Sequence, residues 1–227
     1  MTKTIPMLFG APLVRALLDG RKTQTRRVMK MPACGSGVYI HPTHGLVNSM
    51  GGEIPHTPFA PGDLIWVRET WAKTLRIDDD RPWLEDRPHI RLSDNDAVIW
   101  RADGEWNWCD DDGFLSERSY WKPSIHMPRW ASRLTLRVTD VRAQRLQDIS
   151  EEDARAEGVM SNTLGRHTLW SGRENERPTL RTARAAFIEH IWDDLYREDE
   201  EKSSAANPWV WAISFDVICK NVDEVAA

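Results

Sequence analysis

Cysteine is too sparse to staple this chain. Cys34, Cys109 and Cys219 lie far apart without C-x-x-C spacing, which argues against a disulfide framework and predicts a reducing, cytoplasmic setting. Long apolar runs are lacking as well: none approaches the roughly eighteen residues of a membrane-spanning helix, so no membrane partner is expected. Met1-Thr2-Lys3-Thr4-Ile5-Pro6 has no signal-peptide core. Positive charge is not in excess, with 30 Lys and Arg against 35 Asp and Glu. A net charge of −5 argues against a protein that coats duplex DNA or long RNA, because phosphate contacts demand a basic face. It leaves room for a local basic pocket that takes one nucleotide. Phenylalanine and tyrosine are few, five and three, yet there are twelve tryptophans. Tryptophan buries a large area and keeps one N–H donor, so it suits cores and base-stacking walls alike; most of the twelve are expected in the core.

The hydrophobic pattern predicts a short amphipathic helix over 11–19. Residues 31–60 hold glycines and prolines without periodicity and read as loop. A turn at Pro61-Gly62-Asp63 leads into a strand over 64–71. Acidic, turn-rich stretches at 74–95 and 102–119 flank a strand at 97–100. Leu134, Leu136 and Val138 alternate with Thr135, Arg137 and Thr139, which predicts a half-buried strand over 133–142. Ser150 and Asp153 form a capping-box-like start to a helix that Gly158 ends. After a loop at 160–178, a longer amphipathic helix runs from Leu180 to Leu195, and a last strand spans 209–218. There are no internal repeats, and the strands do not alternate with helices as in βαβ units. The expected fold is therefore α+β: one domain over 1–227 built on a small mixed or antiparallel β-barrel with surrounding helices, with insertions at 31–60, 72–120 and 160–178.

The most informative stretch is Leu18-Asp19-Gly20-Arg21-Lys22-Thr23-Gln24-Thr25-Arg26-Arg27. The chain leaves a helix and at once presents one lysine, two threonine hydroxyls and three arginines. Crowded cations lower one another's affinity for protons, and lysine is the one that responds. A lysine so depressed, beside a hydroxyl, is a base–nucleophile pair; a solvated basic turn is the other reading of the same residue types.

Gly20-x-Lys22-x-x-Thr25-x-Arg27 resembles the signature of the ASCH family, small proteins of the PUA-like barrel superfamily whose motif reads Gly-x-Lys-x-x-Glu-x-Arg, with Thr for Glu in one branch. Further landmarks resemble an ASCH subgroup common in phages and prophages: Pro61 to Trp71, Lys122 to Arg133, Asp148 to Gly158, and Asn207 to Trp211. The Thr branch is similar to small bacterial amidohydrolases that remove the acetyl group from N4-acetylcytidine with a Lys, Thr and Glu triad. The resemblance places Lys22 and Thr25 in that triad by the motif itself, and Glu157 by local alignment at the last turn of the 150–158 helix.

Amide hydrolysis needs a nucleophile, a base and support for an oxyanion. Thr25 would attack or position a water. Lys22 would serve as base, or as a cation on the oxyanion, and Glu157 would carry a proton to the leaving amine. Arg27 would anchor a substrate oxygen or organise Glu157. Residues 22 and 25 face opposite ways on a regular strand, so the triad requires a break between them. Arg68, Glu69, Trp71, His126, Trp130 and Trp209 are candidate substrate-binding residues. For Arg68 and Glu69 the competing role is a cross-strand ion pair, and for the tryptophans it is core packing. Cys34, His41 and His44 match no standard zinc spacing, so neither metal nor cofactor is expected. The expected partner is a modified nucleoside or nucleotide, free or within RNA or another single strand. Two alternatives from the same resemblance are a non-catalytic module that binds a modified base or RNA, and a ribonuclease.

Overall fold

A computed structural model describes residues 2–29, 38–41, 45–48, 57–75, 91–92, 96–104, 120–164, 166–173 and 177–226. Elements run β1 (Thr4–Leu8), α1 (Ala11–Leu18), β2 (Gln24–Val28), β3 (Val38–His41), β4 (Gly45–Asn48), β5 (Leu64–Arg68), β6 (Trp71–Leu75), β7 (Arg91–Leu92) and β8 (Asp96–Trp100). They continue with β9 (Thr135–Arg145), α2 (Glu151–Ala156), β10 (Met160–Leu164), β11 (His167–Ser171), α3 (Ala183–Phe187), α4 (Asp193–Leu195), β12 (Trp209–Ile218) and α5 (Val222–Ala226). Helices and strands are mixed, so the class is α+β, and no closed barrel is present among the described residues.

The chain forms two compact units, each assembled from discontinuous segments. The first comprises Met1–Arg21, Gly62–Arg137 and Asp216–Ala227. In it β1 runs parallel to β5, with Thr4 opposite Leu64 and Leu8 opposite Arg68. The first residues of β9 pair antiparallel with β5, Leu136 opposite Ile65. A second sheet sets β6 and β7 against β8. Its core gathers Trp71, Val98, Trp100, Met127 and Ala131. Trp100 is fully enclosed and gives its indole N–H to the Ala131 carbonyl at 3.2 Å, so burial leaves no orphaned donor there.

The second unit comprises Lys22–Pro61 and Val138–Phe215. Here β2 pairs antiparallel with β12, Thr25 opposite Ile213 and Val28 opposite Val210, and β2 is a sheet edge. The core packs Leu146, Ile149, Ala154, Val159, Ala186, Phe187, Trp192 and Val210 between α2, α3 and the strands.

Several expected elements change shape. The strand foreseen over 64–71 is two strands, broken at Glu69-Thr70. Residues 38–41 and 45–48, expected as loop, pair as a hairpin. So do 160–164 and 167–171, whose short, mostly exposed strands carry little apolar alternation to announce them. The helix from Leu180 begins instead at Ala183, because Thr182 caps it by accepting the Ala185 N–H, and it passes through one π-helical turn at Ile188–Trp192 before α4.

Candidate active site

Ser150 starts α2 by accepting the Asp153 N–H at 3.0 Å, which is half of a capping box. The other half is missing, since the Asp153 carboxylate turns to side chains of neighbouring elements instead. At the far end Glu157 is the C-cap residue, and Gly158 follows with φ of 95°, a conformation glycine adopts without strain. Glu157 thus hangs a carboxylate at the negative end of a helix, where only nearby cations make it tolerable.

Those cations come from the segment after Gly20, whose φ of 70° turns the chain out of α1. Lys22 lies outside β2 and bridges Glu157 by backbone pairing. Thr23 donates its N–H to the Ala156 carbonyl at 2.8 Å and accepts from the Phe215 N–H at 2.9 Å. Regular strand begins only at Gln24. Lys22 and Arg26 nevertheless grip the two oxygens of one carboxylate, so Lys22 shares the Arg26 side, and the break that the triad requires between residues 22 and 25 is not found at Thr23.

Lys22 Nζ donates to Glu157 Oε2 at 2.6 Å and to the Glu157 carbonyl at 3.0 Å. The second bond satisfies one of the carbonyls a helix end leaves open. Arg26 Nη1 donates to Glu157 Oε1 at 2.9 Å, so the two carboxylate oxygens are shared between two cations. Lys22, Arg26 and Glu157 are 0%, 3% and 2% exposed. Burial pulls the Lys22 ammonium below the usual lysine range, Glu157 opposes that shift, and Arg27 and Arg26 add to it. Burial likewise works to lower Arg27 against Tyr196 and Glu157, although a guanidinium stays charged.

Arg26 is itself held. Its Nη1 also donates to Gln24 Oε1 at 2.6 Å and its Nη2 to Asp153 Oδ2 at 3.0 Å, and its guanidinium lies 5.7 Å from the Phe187 ring centroid. Gln24 Nε2 donates to Asp153 Oδ1 and Ser214 Oγ, both at 3.1 Å. Arg142 reaches Asp153 from the exposed side at 3.1 Å. Burial alone would push the Asp153 carboxyl up, but the Gln24 hydrogen bond and the Arg26 and Arg142 charges together bring it below the usual range.

Thr25 is buried at 3% exposure in β2, and strand alternation puts it and Arg27 on the face opposite Gln24 and Arg26. No described hydrogen bond joins Thr25 to Lys22 or Glu157. Trp209 opens β12 half-buried, with the Arg145 guanidinium 4.8 Å from its ring. These residues all belong to the second unit.

Arg68, Glu69, Trp71, His126 and Trp130 belong to the first. Arg68 donates to the Ile125 carbonyl and lies 5.4 Å from the Trp66 ring centroid. Glu69 forms an ion pair with Arg133, not with Arg68: both its oxygens accept from Arg133 at 3.0 Å. Arg133 also binds Asp103 and lies 4.4 Å from the Trp100 ring centroid. Burial pushes the Glu69 carboxyl up, with Arg133 opposing. Trp71 is a core residue, 6.1 Å from Trp130 in an edge-to-face pair. Trp130 and His126 are exposed.

Sequence reasoning gave Arg27 either a substrate oxygen or the task of organising Glu157; the described hydrogen bond to the Glu157 carboxylate comes from Arg26. Gln24 and Asp153 went unassigned. The signal was the alternation of Gln24 and Arg26 along a strand, with Lys22 just before it. Cys34 and His44 lie outside the described residues, and among the described residues no His, Cys, Asp and Glu cluster suits a metal. No helix among them is long and apolar enough to cross a membrane. No family model, curated protein or solved structure matches this chain.

Proposed function

We propose that this chain is an amidohydrolase that removes the acyl group from an N4-acylated cytidine or a related modified nucleobase, on a scaffold of the PUA-like, ASCH type. One observation carries the proposal. The motif lysine and a glutamate 135 positions later meet at 2.6 Å in a buried site that lowers the lysine's hold on its proton. A lysine whose hold on its proton is weakened moves toward the role of a base, and a carboxylate beside it is the relay that base needs.

In the reaction, Lys22 takes a proton from the attacking oxygen, which Thr25 supplies from its own hydroxyl or holds as water; this requires β2 to rearrange, because strand alternation turns Thr25 away from the Lys22 side. The new carbon–oxygen bond forms at the acyl carbon, the carbon–nitrogen bond breaks, and Glu157 passes the proton to the departing N4 amine. When Thr25 attacks, a water then hydrolyses the ester it leaves. Arg27, on the same face of β2 as Thr25, holds a substrate oxygen. Among the remaining candidates, Glu69 and Trp71 serve the core of the first unit.

The test is to incubate the purified protein with N4-acetylcytidine and larger N4-acylcytidines and follow cytidine release. Wild-type turnover is expected, with kcat falling by about 10² to 10⁴-fold in Lys22→Met and Glu157→Gln, the range general acid–base groups contribute. Trapping an acyl-enzyme in the wild type, with Thr25→Val as the control that cannot form one, separates the two roles of Thr25, because only a nucleophilic threonine forms the ester. Tight binding of a modified nucleotide without turnover of any acylcytidine would overturn the proposal in favour of a non-catalytic binding module.

A further inference from the structure

A base must be able to lose its proton, and a buried lysine–carboxylate pair resists that. Once the lysine is neutral, the carboxylate is left as an uncompensated charge out of water, which is strongly unfavourable. At Lys22 and Glu157 the difficulty is acute, since neither side chain is more than 3% exposed.

Glu157 does not depend on Lys22 alone. Its second oxygen is bound by Arg26 at 2.9 Å, and the Arg26 side chain is wholly buried. The Arg26 charge would be consumed by Asp153, which it also binds at 3.0 Å, were Asp153 not served from outside by Arg142 at 3.1 Å. With Lys22 neutral, Arg26 balances Glu157, and Arg142, which also pairs with Asp140 at 3.2 Å, offsets Asp153 in part. Gln24 fixes the arrangement without adding charge, accepting from Arg26 at 2.6 Å and donating to Asp153 at 3.1 Å.

We infer that Arg26 is a positioning residue, the permanent counter-ion that holds Glu157 by one oxygen and lets Lys22 release its proton inside the fold. The inference rests on the proposed role of Lys22 as a base. Arg26 stands at an unspecified position of the Gly-x-Lys-x-x-Thr-x-Arg pattern, so this is a device of the present chain rather than of the motif. The charged groups around Lys22 are Glu157, Arg26 and Arg27, with Asp153 and Arg142 behind Arg26 and Asp140 on the far side of Arg142. A guanidinium suits the task because it does not deprotonate and can grip several acceptors at once.

The test is a titration of Lys22, followed by the NMR signal of its side-chain CεH₂ group and assigned by its loss in Lys22→Met. In Arg26→Gln the Lys22 pKa rises, because ionisation of Glu157 now requires the lysine's charge. In Arg26→Lys, which keeps the charge, it stays closer to wild type. Arg142→Gln turns Asp153 back onto Arg26 and moves Lys22 up by a smaller step; this residue is half-exposed, so that variant decides the matter should Arg26→Gln not fold. With an acylcytidine substrate, Arg26→Gln lowers kcat about tenfold or more with KM little changed and moves the acid limb of the pH profile upward. A Lys22 titration unmoved or lowered in the folded variants overturns the inference, whether or not the wild type hydrolyses anything. Hydrolysis by the wild type with an unmoved Lys22 removes the role of Arg26 and leaves the proposed activity standing. Absence of hydrolysis with a shifted Lys22 does the reverse.

Discussion

A carboxylate at a helix C-terminus meets the negative end of the backbone dipoles, and Glu157 has in addition lost its water. Two cations answer it, and the same physics operates on the surface at Asp194, where the solvent makes it easier to measure. Hydrogen bonds from Arg173 lead the effects that hold the Asp194 carboxyl at about 2, with Arg197 contributing. Replacing Arg173 by alanine is expected to bring the Asp194 titration back up toward the usual carboxylate range, observed by the side-chain carboxyl NMR signal. An unmoved titration would show that Arg197 suffices alone. In the sequence Asp194 is simply the second residue of an Asp-Asp pair. Nothing in an Asp-Asp dipeptide tells which side chain finds an arginine from another element, because the partner of Asp194 is 21 positions away.

Helix α2, with Asp153 inside it and Glu157 at its C-cap, has only six residues, too few to be stable by propensity alone. Its cap therefore matters: Ser150→Ala removes the acceptor for the Asp153 N–H and is expected to cost about 1 kcal/mol, measured by urea unfolding. Gly172, just after β11, is constrained by packing rather than by its backbone angles. An added Cβ would come within 2.8 Å of the Ala186 carbonyl oxygen and 2.7 Å of Ile191 Cγ1. Gly172→Ala is expected to destabilise by about 1–3 kcal/mol, as overpacking does, and a thermal midpoint equal to wild type would contradict the contact. Periodicity made the strand cores and the cap at Ser150 legible, since Leu134, Leu136 and Val138 alternate whatever surrounds them. It did not reveal the β10–β11 hairpin, whose side chains are mostly polar or exposed and leave no period to detect. Nor did it reveal the π-helical turn at Ile188–Trp192, whose apolar residues fit an ordinary helix equally well.

For the whole molecule, acid is the informative variable. Asp153 and Asp194 have folded pKa values below the 3.8 of the free side chain. Groups of that kind contribute stability that is complete above the unfolded value and disappears as pH falls through the folded one. The window here runs from about 4 down to about 2. Glu69, raised by burial, acts with the opposite sign: its folded form holds its proton more readily, so it gains ground as pH falls from above 4.5. The urea midpoint is accordingly expected to drop as pH falls below 4, and to drop less in an Asp153→Asn variant, which has no such carboxylate to protonate. An equal drop in both would place the acid sensitivity elsewhere.

By itself the sequence determined the mixed α+β class, the cap of α2, the turn at Gly20, and the two chemical groups, Lys22 and Glu157, that a shared site would need. Each depends on local spacing, on glycine's conformational freedom or on a motif, and these act within a few residues. Only the tertiary structure decided that Lys22 reaches Glu157, that Arg26 rather than Arg27 binds its other oxygen, and that Glu69 serves Arg133 in a buried pair. Those outcomes depend on which strand lies at the sheet edge and which helix end abuts it. The resemblance named both members of an ion pair 135 positions apart, but local spacing in neither stretch of sequence fixes their contact.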